Sequence, residues 1–247
     1  MEWWLARGTS RRGTPDGLLL ATPGNAQRRA AGTRYPPVAE GELMSATRIV
    51  VSAFGALVAI AGIEHGVGEI LQGPVAPAGL TIESWPDAEA FAVFAGEPAM
   101  TVIPNLLLTG VLAVIVALGV GVWSVWFVER QHGGLVLIGL SVLLLLVGGG
   151  FVPPLIGIII GVGATRIGAA SGQPPGPVLR GLGQSWPWIL AAGVLGQLGL
   201  FPGLVLLSQV VRVPDAVVYA LSAWSFAALI LALVAARAHD RAPEGRS

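Results

Sequence analysis

The sequence predicts an all-α fold, a polytopic bundle of membrane-spanning helices, and three observations predict it. Of 247 residues, 54% are hydrophobic and 11% charged, against about a quarter charged in soluble domains. Mean hydropathy is +0.75, and too little polar surface exists to cover such a chain in water. Five apolar stretches are continuous, not alternating, which excludes a β-barrel. Net charge is zero, so nucleic acid is not an expected partner. Cys is absent, which removes disulfides and thiolate chemistry. All basic residues are Arg, with no Lys, a bias of GC-rich codons that points to a GC-rich bacterium as the source.

Residues 1–43 differ in composition from the rest of the chain. They carry six Arg (7, 11, 12, 28, 29, 34) and no periodic apolar pattern, the composition of a disordered basic tail. A second reading is a mis-annotated start. Glu40-Gly41-Glu42 back-translates to a purine-rich stretch placed just before Met44, where the hydrophobic chain begins. Met44 is therefore the preferred first residue.

A spanning helix needs about 20 apolar residues. The five stretches run 47–71, 101–128, 135–164, 187–210 and 215–236, with an acidic cap at 73–100 and a short polar tail at 237–247. Residues 49–129 hold seven acids and no base, whereas Arg48 and Arg130 flank them. The positive-inside rule then places the N-terminus in the cytoplasm and the cap outside, with a bacterial inner (plasma) membrane as the expected location.

The third stretch is broken at Gly148-Gly149-Gly150-Phe151-Val152-Pro153-Pro154. Adjacent prolines remove backbone donors and the glycines weaken the helix beside them. A single kinked crossing would place Arg166, Arg180, Arg237, Arg241 and Arg246 outside. A hairpin that enters and returns keeps them inside, and the charge rule favours it. Such a break is tolerated only against protein or a water-filled cavity.

The most informative stretch is Gly62-Ile63-Glu64-His65-Gly66-Val67-Gly68-Glu69-Ile70-Leu71-Gln72-Gly73. At 100° per residue, His65, Glu69 and Gln72 share a face lined by small residues, and Glu64 points about 100° away. Ionisable groups in a membrane segment usually face the bundle interior or a cavity. A His65–Glu69 pair suits proton exchange. The bland alternative is a solvated Glu69 at the helix end with His65 bonded to it. No metal and no cofactor are expected, because H-x-x-x-E lacks a second His and His132 and His239 lie elsewhere. Further ligands would have to be carboxylates from Glu64, Asp87, Glu89 or Glu97.

Other features have packing explanations. Pro104-Asn105 suits a helix start or kink, and Phe91–Ala95 an interfacial helix within the cap. Trp123, Trp126, Trp186 and Trp188 suit aromatic belts. Gly193, Gly196, Gly199 and Gly203 beside Gln197, and Gly157-x-x-x-Gly161, suit close helix packing or docking of another copy or another membrane protein. No nucleophile elbow, P-loop or dinucleotide motif is present.

Glu64–Gly73, Gly96-Glu97-Pro98-Ala99-Met100 and Gly148–Pro154 together resemble a group of bacterial multi-pass integral membrane proteins to which no activity is assigned. The resemblance spans about residues 44–165. It implies a membrane location and carries over no catalytic residue.

The leading functional expectation is a transporter or permease-like protein for a small solute or ion. Its candidate site joins Glu64, His65, Glu69 and Gln72 to Gly148, Gly149, Gly150, Pro153 and Pro154. The alternatives are a non-catalytic subunit of a membrane complex and a membrane-embedded enzyme acting on a lipid or isoprenoid.

Overall fold

The computed structural model describes residues 44–168 and 175–242. Both readings of residues 1–43 lie outside the described residues, as do the last five residues of the polar tail. The described chain is mostly helical, and the elements follow the apolar runs.

Helix α1 spans Ala46–Gln72, is 27 residues long and is capped at its start by Ser45, whose side chain accepts from the Arg48 N–H. At 1.5 Å per residue it is about 40 Å long, enough to cross a bilayer with a turn to spare. The chain then forms a cap: strand β1 (Thr81–Glu83), a 3-10 helix (Glu89–Phe94) and strand β2 (Pro98–Met100). The two strands pair antiparallel with Ile82 opposite Ala99. Helix α2 (Leu106–Val122) starts where the Asn105 side chain accepts from the Leu108 N–H, and it ends in a π-helical turn, Trp123–Phe127. The second apolar stretch therefore becomes helical only at Leu106. Residues before it extend to join the cap.

The third stretch does not cross as one helix. It forms α3 (Gly133–Leu146) and α4 (Val152–Ala164), of 14 and 13 residues. These measure about 21 and 20 Å, short of the ~30 Å hydrocarbon thickness. Gly134 packs against Gly161 and Thr165, and Gly157 against Ser141. The two helices are therefore antiparallel, with both bases on one side. Of the five expected segments, with the third broken, four form helices long and apolar enough to span among the described residues, Ala46–Gln72, Leu106–Phe127, Trp186–Ser208 and Asp215–Asp240, and the broken third forms this hairpin. The cause is local. Gly148 and Gly150 adopt φ of 94° and 76°, a region costly for residues bearing a Cβ. Pro153 and Pro154 then sit in the first turn of α4, where a missing N–H costs nothing.

After a short amphipathic α5 (Pro177–Gln184), α6 (Trp186–Leu198) passes through a π-helical turn, Gly199–Gly203, into α7 (Leu204–Ser208). Helix α8 runs Asp215–Asp240, so the first part of the expected polar tail is helical. Helix α1 is the hub and packs against α2, α4, α6 and α8. The core gathers Val50, Phe54, Val58, Leu137, Ile160 and Leu229, all essentially inaccessible.

The ends of the described chain meet. Asp240 accepts from the Ala46 and Thr47 N–H groups at 2.7 and 3.0 Å, filling the orphan donors at the positive end of α1. Arg48 pairs with Glu129 at 2.9 Å, and Arg237 donates to the Arg166 carbonyl at 3.0 Å. The start of α1, the end of α2, the base of the hairpin and the end of α8 therefore share one face. This is the arrangement of the broken hairpin, not of a single kinked crossing.

Asp240→Ala is expected to lower stability by about 1–2 kcal/mol, the usual cost of a lost N-terminal cap. Asp240→Asn retains part of that capping. Thermal unfolding of the purified protein in detergent checks the order.

Candidate functional site

The site forms where the last turns of α1 meet the cap and the tip of the α3–α4 hairpin. Gly66 and Gly110 let α1 and α2 approach until each glycine sits on the other's carbonyl oxygen. The cap lies on the next turn of α1, against Gly68, at Ser84 and Trp85. Gln72 holds it there by donating to the carbonyls of Glu83 and Ser84 at 3.1 and 3.0 Å. Gln72 is thus a tether for the cap and lines no part of the cavity beneath it.

The hairpin tip rises to the same level. Thr101 bridges to Val147, the Gly148 N–H donates to the Met100 carbonyl at 2.9 Å, and Val102 N–H donates to Leu146 at 3.1 Å. The glycines then press on the polar groups of α1. A Cβ at Gly148 would strike the Glu69 carboxylate, and one at Gly150 would strike His65 Nε2. Gly149 packs on Leu144 instead, while Pro153 and Pro154 are buried. The break and the polar stripe of α1 are therefore in direct contact.

Within this junction the groups pair differently from their helical spacing. His65 Nδ1 lies 2.9 Å from Ser84 Oγ, and Ser84 donates to Glu69 Oε1 at 3.4 Å. The expected direct His65–Glu69 bond is replaced by a serine bridge, because the cap inserts Ser84 between them. Glu69 is not a solvated carboxylate at a helix end either. It is fully buried, and its second oxygen has no hydrogen-bond partner.

The other edge of His65 faces Glu97, with Nε2 3.5 Å from Oε2. Three consecutive residues with positive φ, Ala95, Gly96 and Glu97, turn the chain there, and the Glu97 side chain is turned into the bundle. Glu64, placed on another face by its helical angle, joins them through its long side chain. One ligand-type atom from each of Glu64, His65 and Glu97 lies within 4.8 Å of the other two. Asp87 and Glu89 stay on the cap, away from this cluster. Burial pushes the Glu97 carboxyl up to about 9, and the neighbouring Glu64 carboxyl acts in the same direction. Two carboxyl groups in one apolar site share a proton more readily than they carry two charges.

This cluster forms the polar end of a cavity of about 540 Å³ between α1, α4, the cap and the π-helical turn after α6. The remaining walls are mostly apolar, among them Val58, Ala61, Ile156, Phe151 and Leu200. Ile60, Val152 and Leu198 line it as well and are substantially exposed on the outer face of the bundle. The cavity thus has an apolar lateral rim. Gln197 also lines it and is buried with its Nε2 unpartnered. In sequence it reads as helix–helix glue. An aromatic stack supports the roof: Trp85 on Phe91 at 4.8 Å, and Phe91 on Phe201 at 6.1 Å.

The glycine-rich faces are covered by the chain's own helices. Gly193 packs on Phe54 and Ala228, Gly196 on Trp224 and Ser225, and Gly161 on Ile138 and Gly134. His132 and His239 lie at the opposite face, exposed.

Ser84 is the participant that the sequence does not single out; Glu97 stands there as one of four possible carboxylate ligands, and Gln197 as helix–helix glue. Comparison with protein-family models, with curated proteins and with solved structures finds no match.

Gly150→Ala is expected to destabilise by about 1–3 kcal/mol, combining the left-handed backbone with the clash on His65. Gly139→Ala, where a Cβ meets open space, should leave stability unchanged or raise it slightly. Parallel melts of the two variants test whether the tip is a close-fitting lid.

Proposed function

We propose that this membrane protein is permease-like, and that it takes a small, mainly apolar solute into the cavity beneath the cap. The observation that carries the reading is the cavity itself. Its volume falls in the ~300–1,000 Å³ range of small-molecule sites, with apolar walls, one polar end and an apolar lateral rim. Such a chamber suits a solute that partitions into lipid and presents one hydrogen-bonding group to Glu64, His65 and Glu97. A discontinuous segment beside a buried polar site is also how many transporters arrange their binding region.

A second reading is a membrane-embedded enzyme acting on a lipid or isoprenoid. The convergence of two carboxyls and an imidazole at the cavity end favours it, since these are the usual acid and base groups.

Mass spectrometry of organic extracts from protein purified out of native membranes tests both readings. Wild-type protein should retain one class of small apolar molecule, and Ala61→Trp, which fills the cavity, should lose it while keeping its melting temperature. Saturable flux of that molecule across proteoliposomes, with its mass unchanged, supports the permease; a changed mass supports the enzyme. Extracts in which wild type and Ala61→Trp do not differ overturn both.

The cap is placed on the outer side of the membrane in this reading, with Arg48, Arg130, Arg166 and Arg180 inside, as the charge asymmetry supports. Because the chain has no Cys, single substitutions report sidedness. Asp87→Cys should react with a membrane-impermeant maleimide on intact cells, and His132→Cys only after lysis.

A further inference from the structure

We propose that Glu64, His65 and Glu97 form a site for one divalent transition-metal cation, open on its remaining side to the cavity. The donor set is one imidazole nitrogen and two carboxylate oxygens, a nitrogen–oxygen set suited to Zn²⁺, Mn²⁺ or Fe²⁺ and not to thiophilic ions. Three protein ligands with a vacant position toward a chamber is the plan of open sites in which the metal also meets a substrate or water.

The geometry fits. Two ligands about 2.1 Å from a tetrahedral ion lie about 3.4 Å apart, and His65 Nε2 and Glu97 Oε2 are 3.5 Å apart. Glu64 completes the triangle within 4.8 Å.

An independent observation points to a ligand here. Glu97 is more than nine-tenths buried, its Oε2 has no hydrogen-bond partner, and that oxygen is the atom aimed at His65 Nε2. An unpaired polar atom at this depth is costly in an apolar medium, so it marks a position that an ion would satisfy. Glu64 Oε1 is likewise buried and unpartnered. Among the described residues no arginine pairs with either carboxyl. A dication balances two carboxylates and a neutral imidazole, leaving no net charge in the bundle.

The second ring nitrogen of His65 is already fixed. Ser84 stands 2.9 Å from Nδ1 and itself donates to Glu69, the kind of outer contact that orients a metal-bound imidazole. Gly150, which admits no Cβ over the ring at Nε2, packs on the flat face of the imidazole and helps hold its plane. Glu69 therefore acts as a positioning residue through Ser84 and is not itself a ligand.

Purified protein in detergent, stripped with chelator and desalted, is titrated with Zn²⁺ and separately with Mn²⁺ against a chromophoric competitor. One saturable site per chain is expected. Glu97→Gln and His65→Ala should each weaken it about 100-fold or more, beyond the 10–100-fold effect of disturbing outer contacts. The double variant His132→Ala/His239→Ala should bind as wild type does. No saturable binding, or binding unaltered by Glu97→Gln and His65→Ala, overturns the site.

X-ray absorption on the Zn²⁺-loaded wild type guards against a variant that fails to fold. One imidazole with oxygen ligands is expected, and two or more imidazoles overturn the assignment. The site rests on the cluster and not on the permease reading. Metal binding and solute retention are read by separate measurements, so either can fail while the other stands.

Discussion

Everything around the C-terminal end of α1 follows from burying Glu64, His65 and Glu69 in an apolar bundle. Ionisable groups at such depth must be paired or neutralised, and a helix cannot satisfy its own side chains. Partners therefore come from outside α1. The cap brings Ser84 between His65 and Glu69 and sets Glu97 against the other edge of the imidazole. Gln72 tethers that cap through two carbonyls. From the membrane side, the hairpin tip closes over Glu69 and His65 with glycines, the residue type that leaves room for them.

The architecture serves the same junction. Two helices of 14 and 13 residues are too short to cross the hydrocarbon, but they are long enough to lift a tip to the level of the cap. Backbone at that depth needs protein partners, and the tip finds them in Met100, Thr101 and Val102 of the cap. The four membrane-length helices among the described residues carry the rest of the bundle, and Asp240 ties the end of α8 to the start of α1. Where the aromatic stack of Trp85, Phe91 and Phe201 props the roof, a cavity remains beside the cluster instead of a packed interface. That space, with a polar cluster at one end and mostly apolar walls elsewhere, is the observation on which the proposed small-solute reading rests.

Much of this architecture is legible along the chain, and the limits have physical causes. Apolar runs mark helices because backbone satisfaction in lipid leaves few other options. Gly148-Gly149-Gly150 with Pro153-Pro154 marks the break, since those residues cannot continue a helix. His65 and Glu69 stand out because ionisable residues are costly in a membrane helix. Their direct bond, inferred from i, i+4 spacing, is absent because spacing counts only neighbours on the same helix. Ser84 arrives from the cap and takes the position between them. The angle of 100° that set Glu64 apart describes where its Cβ points, and it says little about where a long carboxylate ends. Glycines 193 and 196 read as a close-packing or docking face, and within the chain α8 and Phe54 pack on them.

The class of protein, the apolar segments, the position of the break and the polar stripe near the end of α1 are all written along the chain. Composition and periodicity act locally, and these features depend on local rules. Packing between distant elements is what makes Glu97 meet His65 across more than thirty residues of chain. It also seals Glu69 under Gly148, and sets Gln197 at the border of a cavity instead of between two helices. Those outcomes depend on how a loop folds back over a helix and how far a hairpin rises. Such distances belong to the assembled bundle, and no single stretch of residues encodes them.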